Sequence, residues 1–159
     1  CSHDVLVGIV GAPISRRVLD FAVRHFAHLK ESRFTFLHVI SPVPPQFWES
    51  EGIPQRGGNE LEPKIAAWLK EYTGKVKAIA GDAKEALVSA GVPEQNVTFK
   101  FQPLKTGIAR DILLEMEEGN HGILVIGRKG YKDIQQFGMG SKANKLLIAG
   151  RAFMICLVS

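Results

Sequence analysis

Gly122-Ile123-Leu124-Val125-Ile126-Gly127-Arg128-Lys129-Gly130 is the stretch on which the reading of the fold turns. Gly122 to Ile126 form a short apolar run, the pattern a strand shows when both of its faces are buried. Glycines follow at 127 and 130. After nine intervening residues the chain reads Gly140-Ser141 and opens onto a helix-like run from Lys142 to Ala149. A glycine at a strand end lets the backbone approach a ligand closely, because no Cβ intervenes. A helix starting at Gly140-Ser141 aims unpaired N–H groups and the positive end of its dipole at whatever lies above, and Ser141 adds a hydroxyl. Together these parts describe a cradle for a phosphate chain.

The rest of the chain supplies the scaffold for such a cradle. Val5 to Val10, bounded by Asp4 and Gly11, is a second buried strand. Beyond Pro13 and Ser15, Val18, Leu19, Ala22, Val23 and Phe26 recur at helical spacing, with Arg16, Arg17, Arg24 and His25 on the wet side. Phe34 to Ile40 is a further strand, ended by Pro42, Pro44 and Pro45. Residues 41–59 predict a long loop carrying Phe47 and Trp48, and long loops in compact domains often serve as lids or contact surfaces.

Leu61 to Ala90 has a helical pattern, with Ile65, Ala66, Leu69, Val76, Ile79, Ala83 and Leu87 toward the buried side. Gly74 and Gly81 are weak points where this helix is expected to bend or break, and Gly91-Val92-Pro93 stops it. Val97 to Phe101 alternates as a strand. A helix is expected from Gly107 to Glu118 with Ile108, Ile112, Leu113 and Met116 inward, and a last strand from Phe153 to Val158. Strand and helix alternate throughout. That order implies right-handed βαβ units, hence an α/β fold with a five-stranded parallel sheet and helices on both faces, in one domain over residues 1–159.

Composition narrows the function classes. Of 159 residues, 45% are hydrophobic and 23% charged, which suits a globular domain with a real core. No apolar run approaches the roughly 18 residues of a membrane span. The net charge of +4 is spread along the chain without a zinc-finger or RNP-type pattern, so it reads as a solvated surface and not a nucleic-acid footprint. Cys1 and Cys156 make no disulfide framework, and Cys156, inside Phe153 to Val158, reads as a small buried hydrophobe. A first residue of Cys in place of Met reads as a chain cut from something longer. Cytoplasm is the expected location.

Catalytic constellations are thin. His3, His25, His28, His38 and His121 are scattered without metal-ligand spacing. His38 lies in an apolar strand and reads as a satisfied core histidine, while Trp68 and Leu69 read as core. Trp48 suits a cover for the cleft or a partner contact. Ser141 reads as a phosphate donor group and not as a nucleophile. Gly138 to Ala143 fits G-x-G-x-x-A, but a dinucleotide site needs that pattern directly after the first strand and an acid some 20 residues on, so the match is a coincidence. No G-x-x-x-x-G-K-S/T sequence occurs.

Gly-x2-Gly-x9-Gly-Ser behind a late strand, here Gly127, Gly130, Gly140 and Ser141, resembles the nucleotide-binding signature of the universal stress protein family. The likeness extends over essentially the whole chain. Leu37-His38-Val39-Ile40 is similar to that family's second strand, and Gly107 to Met116 followed by His121 to Gly127 resembles its approach to the signature. The resemblance implies strand order 3-2-1-4-5 in a Rossmann-like fold of the adenine nucleotide alpha-hydrolase type. Its crevice lies between the first and fourth strands, flanked by Gly11 and Gly127. It also implies ATP as ligand, with or without Mg²⁺. Gly127 and Gly130 would shape the loop near ribose and phosphate. Gly140, Ser141 and the N–H of Lys142 would hold phosphate oxygens, with Arg128, Lys129 and Lys142 adding charge. The ends of the first two strands, at Val10, Gly11 and Val39, would take the adenine.

One departure stands out. The family's first strand commonly ends in Asp followed by Gly and Ser, where this chain has Val10-Gly11-Ala12. Losing a polar contact of that kind removes about 0.5–1.5 kcal/mol, more where charge is involved. Three functions are therefore weighed. The first is an adenine-nucleotide-binding regulatory or stress-linked module that acts on a protein partner. The second is a nucleotide-free interaction domain of the same fold. The third is slow ATP hydrolysis or phosphotransfer, which the missing Asp disfavours. The resemblance further implies a homodimer paired through the last strand, for which Ala152 to Val158 is suitably apolar.

Overall fold

A computed structural model describes residues 3–9, 12–40, 61–127 and 153–158. In chain order these form β1 (Val5–Ile9), α1 (Ala12–Phe26), β2 (Phe34–Ile40), α2 (Leu61–Ser89), a 3₁₀ turn (Glu94–Asn96), β3 (Val97–Pro103), α3 (Ile108–Glu118), β4 (Ile123–Gly127) and β5 (Met154–Val158). The five strands make one sheet in the order β3-β2-β1-β4-β5, with every neighbouring pair parallel.

Strand alternation sorts the side chains onto two faces, each with its own core. Val5, Val7 and Ile9 of β1, Phe34 and Phe36 of β2, and Ile123 and Val125 of β4 pack against Val18, Leu19 and Ala22 of α1 and Val76, Ala80, Ala83 and Leu87 of α2. Leu6, Leu37, Val39, Leu124 and Ile126 turn the other way and meet Ile112 and Met116 of α3. The central strands β1 and β4 are buried at every position, which explains why they read as unbroken apolar runs. Arg24 and His25 in the last turn of α1 suit the negative end of its dipole.

α2 runs unbroken for 29 residues through Gly74 and Gly81. A Cβ added at either glycine would meet nothing within 4 Å, so neither marks a packing constraint. Each costs about 1 kcal/mol of helix propensity, which the buried row Val76, Ala80, Ala83 and Leu87 offsets. The expected break does not occur. Ala66, expected inward, is exposed, and Ile65, Trp68 and Leu69 are half-buried, so the amino-terminal half of α2 packs more loosely than its pattern suggests. The helix stops at Gly91, whose φ of 103° is the left-handed conformation that favours glycine.

The two edges of the sheet differ. On β3, Lys77 and Lys84 of α2 lie over the rings of Phe101 and Phe99 at 5.4 and 5.9 Å, and Pro103 removes a backbone donor. On β5, Met154 and Leu157 are 52% and 46% exposed, and no charge interrupts the strand. Cys156 is half-buried there, less enclosed than its apolar run suggested, and burial pushes its thiol pKa up. No helix among the described residues is long and apolar enough to cross a membrane.

Candidate functional site: a parting at the carboxyl end of the sheet

The chain lays down β1, then β2 and β3 to one side, and returns across the sheet to place β4 and β5 on the other. The direction of winding therefore reverses between β1 and β4. At such a switch point an open α/β sheet has its crevice beyond the carboxyl ends of the two strands.

The pairing registers show the opening directly. β1 and β2 are paired as far as Ile9↔His38, and β4 and β5 as far as Gly127↔Val158. Between β1 and β4 the pairing covers only Val5↔Ile123 to Val7↔Val125. Gly8 and Ile9 thus stand unpaired opposite Ile126 and Gly127, at the foot of the parting. Gly8 is required there by close approach. A Cβ on it would lie 2.9 Å from Ile126 Cγ2, inside van der Waals contact with a buried, branched side chain.

Of the residues singled out in the sequence, the structure brings Val39 and Gly127 to this end of the sheet. Gly127 closes β4 and is buried. Val39 is the penultimate residue of β2, its side chain in the α3-facing core and its backbone in register with Gln102. Val10, Gly11, Arg128, Gly130, Gly140, Ser141 and Lys142 lie outside the described residues, as do Lys129, the 41–59 loop and the expected helix after Ser141. In sequence, Val10 and Gly11 follow directly on Ile9, and Arg128 on Gly127.

Two residues that shape this end were not assigned that role from sequence. His38 is buried, and its Nδ1 lies 2.8 Å from the carbonyl oxygen of Ile9. A carbonyl only accepts, so Nδ1 carries the hydrogen and Nε2 is the bare nitrogen. Burial lowers the ring's pKa below 6.5, against the smaller opposing effect of that bond, so the imidazole is neutral at pH 7. Among the described residues Nε2 has no hydrogen-bond partner, while the rings of Tyr72 and Phe101 stand 5.6 and 6.1 Å away. Among the described residues, the expected satisfied core histidine finds its partner at Nδ1. The second residue is Asp111, buried in α3. Its carboxylate accepts from the main-chain N–H of Lys105 and Thr106 and from the Thr106 hydroxyl, at 2.8, 3.2 and 2.8 Å. It thereby fixes the turn after β3, whose Leu104 N–H donates to Ile40 at the end of β2. A polar residue inside an apolar strand, and an acid one turn into a helix, were the available signals.

The opposite end of the sheet is closed. Asp4 accepts from Arg33 through its main-chain N–H, Nε and Nη2 at 2.8, 2.9 and 2.6 Å, and its carbonyl accepts from Gly122 and Ile123. Arg33 Nη2 also donates to the Gly119 carbonyl at 3.3 Å. Beside this, buried Glu115 pairs with Lys100 at 2.6 Å. His121 Nε2 stands 3.5 Å from the same carboxylate, an electrostatic neighbour without a hydrogen bond. Burial lowers the pKa of His121, with Glu115 opposing the shift. These groups come from distant stretches of chain, and no sequence pattern groups them. Among the described residues, no cluster of His, Cys, Asp or Glu is arranged to hold a metal ion.

The described part of the crevice offers main-chain groups, glycine and aliphatic walls, the materials of a binding surface. The match with known proteins agrees in extent. Residues 2–148 fit the sequence model described as Universal stress protein family. The chain is 25% identical over 147 residues to Universal stress protein YxiE of Bacillus subtilis, covering 91% of this chain and 90% of the relative. Among solved structures it is similar to universal stress protein UspA from Lactobacillus plantarum, with a TM-score of 0.61 at 11% identity over 100% of this chain and 99% of the other. A universal stress protein family structure from Arabidopsis thaliana, with AMP bound, has a TM-score of 0.54 at 13% identity over 98% and 92% of the two chains.

Proposed function

This chain belongs to the universal stress protein family, and from that premise we propose that it binds an adenine nucleotide at the β1–β4 parting and acts as a regulatory, stress-linked module. The observation that carries the reading is the parting itself: β4 ends in Gly127 beside the unpaired tip of β1, and Gly127 is the first residue of an intact Gly-x2-Gly-x9-Gly-Ser sequence. A relative of the same fold with AMP bound supports adenine as the base. In this reading Val10, Gly11 and Val39 line the adenosine side. Gly127, Arg128, Gly130, Gly140, Ser141 and Lys142 form the phosphate side, with ATP, alone or with Mg²⁺, as ligand. The single domain over residues 1–159 works in the cytoplasm as a homodimer paired through β5, whose exposed apolar edge favours such pairing.

A second reading, a nucleotide-free interaction domain, is favoured by Val10 standing where the family commonly carries Asp. Titration calorimetry with ATP and Mg²⁺ on stripped protein separates the two, together with chromatography of whatever is released on denaturation. Saturable binding or released adenine nucleotide supports the first. The absence of both heat and nucleotide supports the second. Gly140→Asp sets a charge against the phosphates, so it abolishes binding if the cradle works and changes only stability if it does not.

A further inference from the structure

We propose that His38 is a positioning residue of the crevice, its ring N–H tethering the tip of β1 to β2 and so fixing the carbonyl of Ile9 at the end of that strand. The inference rests on the nucleotide reading above for its consequence, but its geometry stands apart from it.

Above Val7↔Val125, β1 is not paired with β4, so its tip is held laterally from the β2 side. Ile9 is the last residue of β1, and His38 lies in register with it. The imidazole adds a side-chain bond of 2.8 Å at that position, to the carbonyl of the peptide whose nitrogen belongs to Val10. That carbonyl therefore cannot rotate without breaking a buried hydrogen bond. The orientation of the Ile9 carbonyl is set as a result.

The cost of the arrangement argues that packing is not its purpose. His38 sits on the face shared with Phe34 and Phe36, with Tyr72 and Phe101 around it, surroundings that Leu would fill without a polar atom. Instead the ring buries a polar nitrogen, Nε2, that meets no hydrogen-bond partner among the described residues. The compensating interaction is the Ile9 bond. A neutral ring in one tautomer suits this role, because it presents a fixed donor and adds no charge beneath the cleft.

The test compares the wild type with His38→Leu and His38→Asn. Asn can place its side-chain N–H close to where Nδ1 stands, whereas Leu cannot donate. Long-range ¹H–¹⁵N spectra of the wild type should show Nδ1 protonated and Nε2 bare, and the reverse tautomer overturns the proposal. His38→Leu should keep or raise the urea midpoint while amide exchange at Gly8 to Gly11 quickens and ATP affinity falls, each by about 2- to 10-fold, the range of one neutral hydrogen bond. His38→Asn should restore both. Unchanged exchange in His38→Leu, or no recovery in His38→Asn, also overturns it. Should Leu prevent folding, the tautomer and the Asn variant still decide. A wild type that binds no ATP defeats the nucleotide reading, and the exchange and tautomer results then judge His38 on their own.

Discussion

Gly8→Ala places one methyl group at the foot of the parting, and its effect can be worked from the structure. The new Cβ would stand 2.9 Å from Ile126 Cγ2, 3.6 Å from Ile112 Cδ1 and 3.9 Å from the Val125 carbonyl oxygen. Carbon atoms rest at about 3.5–4.0 Å, so β1 or Ile126 must give way by more than half an ångström. Neither does so easily, since both residues are fully enclosed and the offending methyl sits on the branched carbon of a stiff side chain. Overpacking of this kind costs about 1–3 kcal/mol, while Gly→Ala returns about 0.4–1 kcal/mol through the unfolded chain. The net expectation is a loss of about 1–2 kcal/mol, or a fall in Tm of roughly 2–8 °C for a domain of this size. Urea denaturation measures it, with an unchanged m-value showing that the two-state comparison holds. Ile126→Leu removes the branched methyl and keeps the volume. The double variant should therefore be more stable than additivity predicts, by about 1 kcal/mol. A Gly8→Ala midpoint equal to wild type, or strict additivity in the cycle, would refute the claim that close approach fixes glycine at this position.

Three further outcomes follow from the geometry. His38 and His121 are both held below 6.5 by burial. Below about pH 6.5 the unfolded chain binds more protons than the folded one, so stability falls with pH by at most about 1.4 kcal/mol per unit for each ring. Urea midpoints flat between about pH 7.5 and 5.5 would contradict this, and His38→Asn should remove one share of the slope. Asp111→Ala removes the acceptor of two main-chain N–H groups and a hydroxyl on exposed residues that water can reach, and should cost about 1–3 kcal/mol, with Asp111→Asn milder because one acceptor survives. Equal urea midpoints for the two variants would show that the carboxylate is not what holds the turn. Leu157→Lys puts a charge on the exposed β5 edge and should convert a β5-paired dimer to monomer in light scattering. A wild type that is already monomeric at high concentration removes that interface.

The elements were legible where one physical signal dominated. Phe34 to Ile40 reads as a strand because its apolar run is cut by prolines, and the structure starts and ends β2 at those residues. The strand order came from a family resemblance resting on Gly127, Gly130, Gly140 and Ser141, and the observed order agrees with it. Propensity misled at Gly74 and Gly81, where tertiary packing of the neighbouring residues outweighs two local penalties. The bond from His38 to Ile9 was illegible because it depends on cross-strand register, which joins positions 29 apart. The same holds for the Asp4–Arg33 pair, and for Glu115 meeting both Lys100 and His121, since no spacing in the chain advertises contacts that the sheet creates.

The closed end of the sheet has a mechanical consequence. β1 and β4 are joined from Asp4 up to the pair Val7↔Val125 and part beyond it, so the fulcrum of the parting is that last pair. β4 is fully paired to β5, and β1 to β2, so a turn at that fulcrum would carry each side as a plate. Two strand residues at about 3.3 Å each set the tips roughly 7 Å beyond it, where a turn of about 5° amounts to roughly 0.6 Å. Filling or emptying the crevice would then tilt the β5 edge against the β3 edge by the same angle. An apolar edge whose angle followed occupancy would work as a lever arm, carrying a change in the crevice to the exposed side chains of β5.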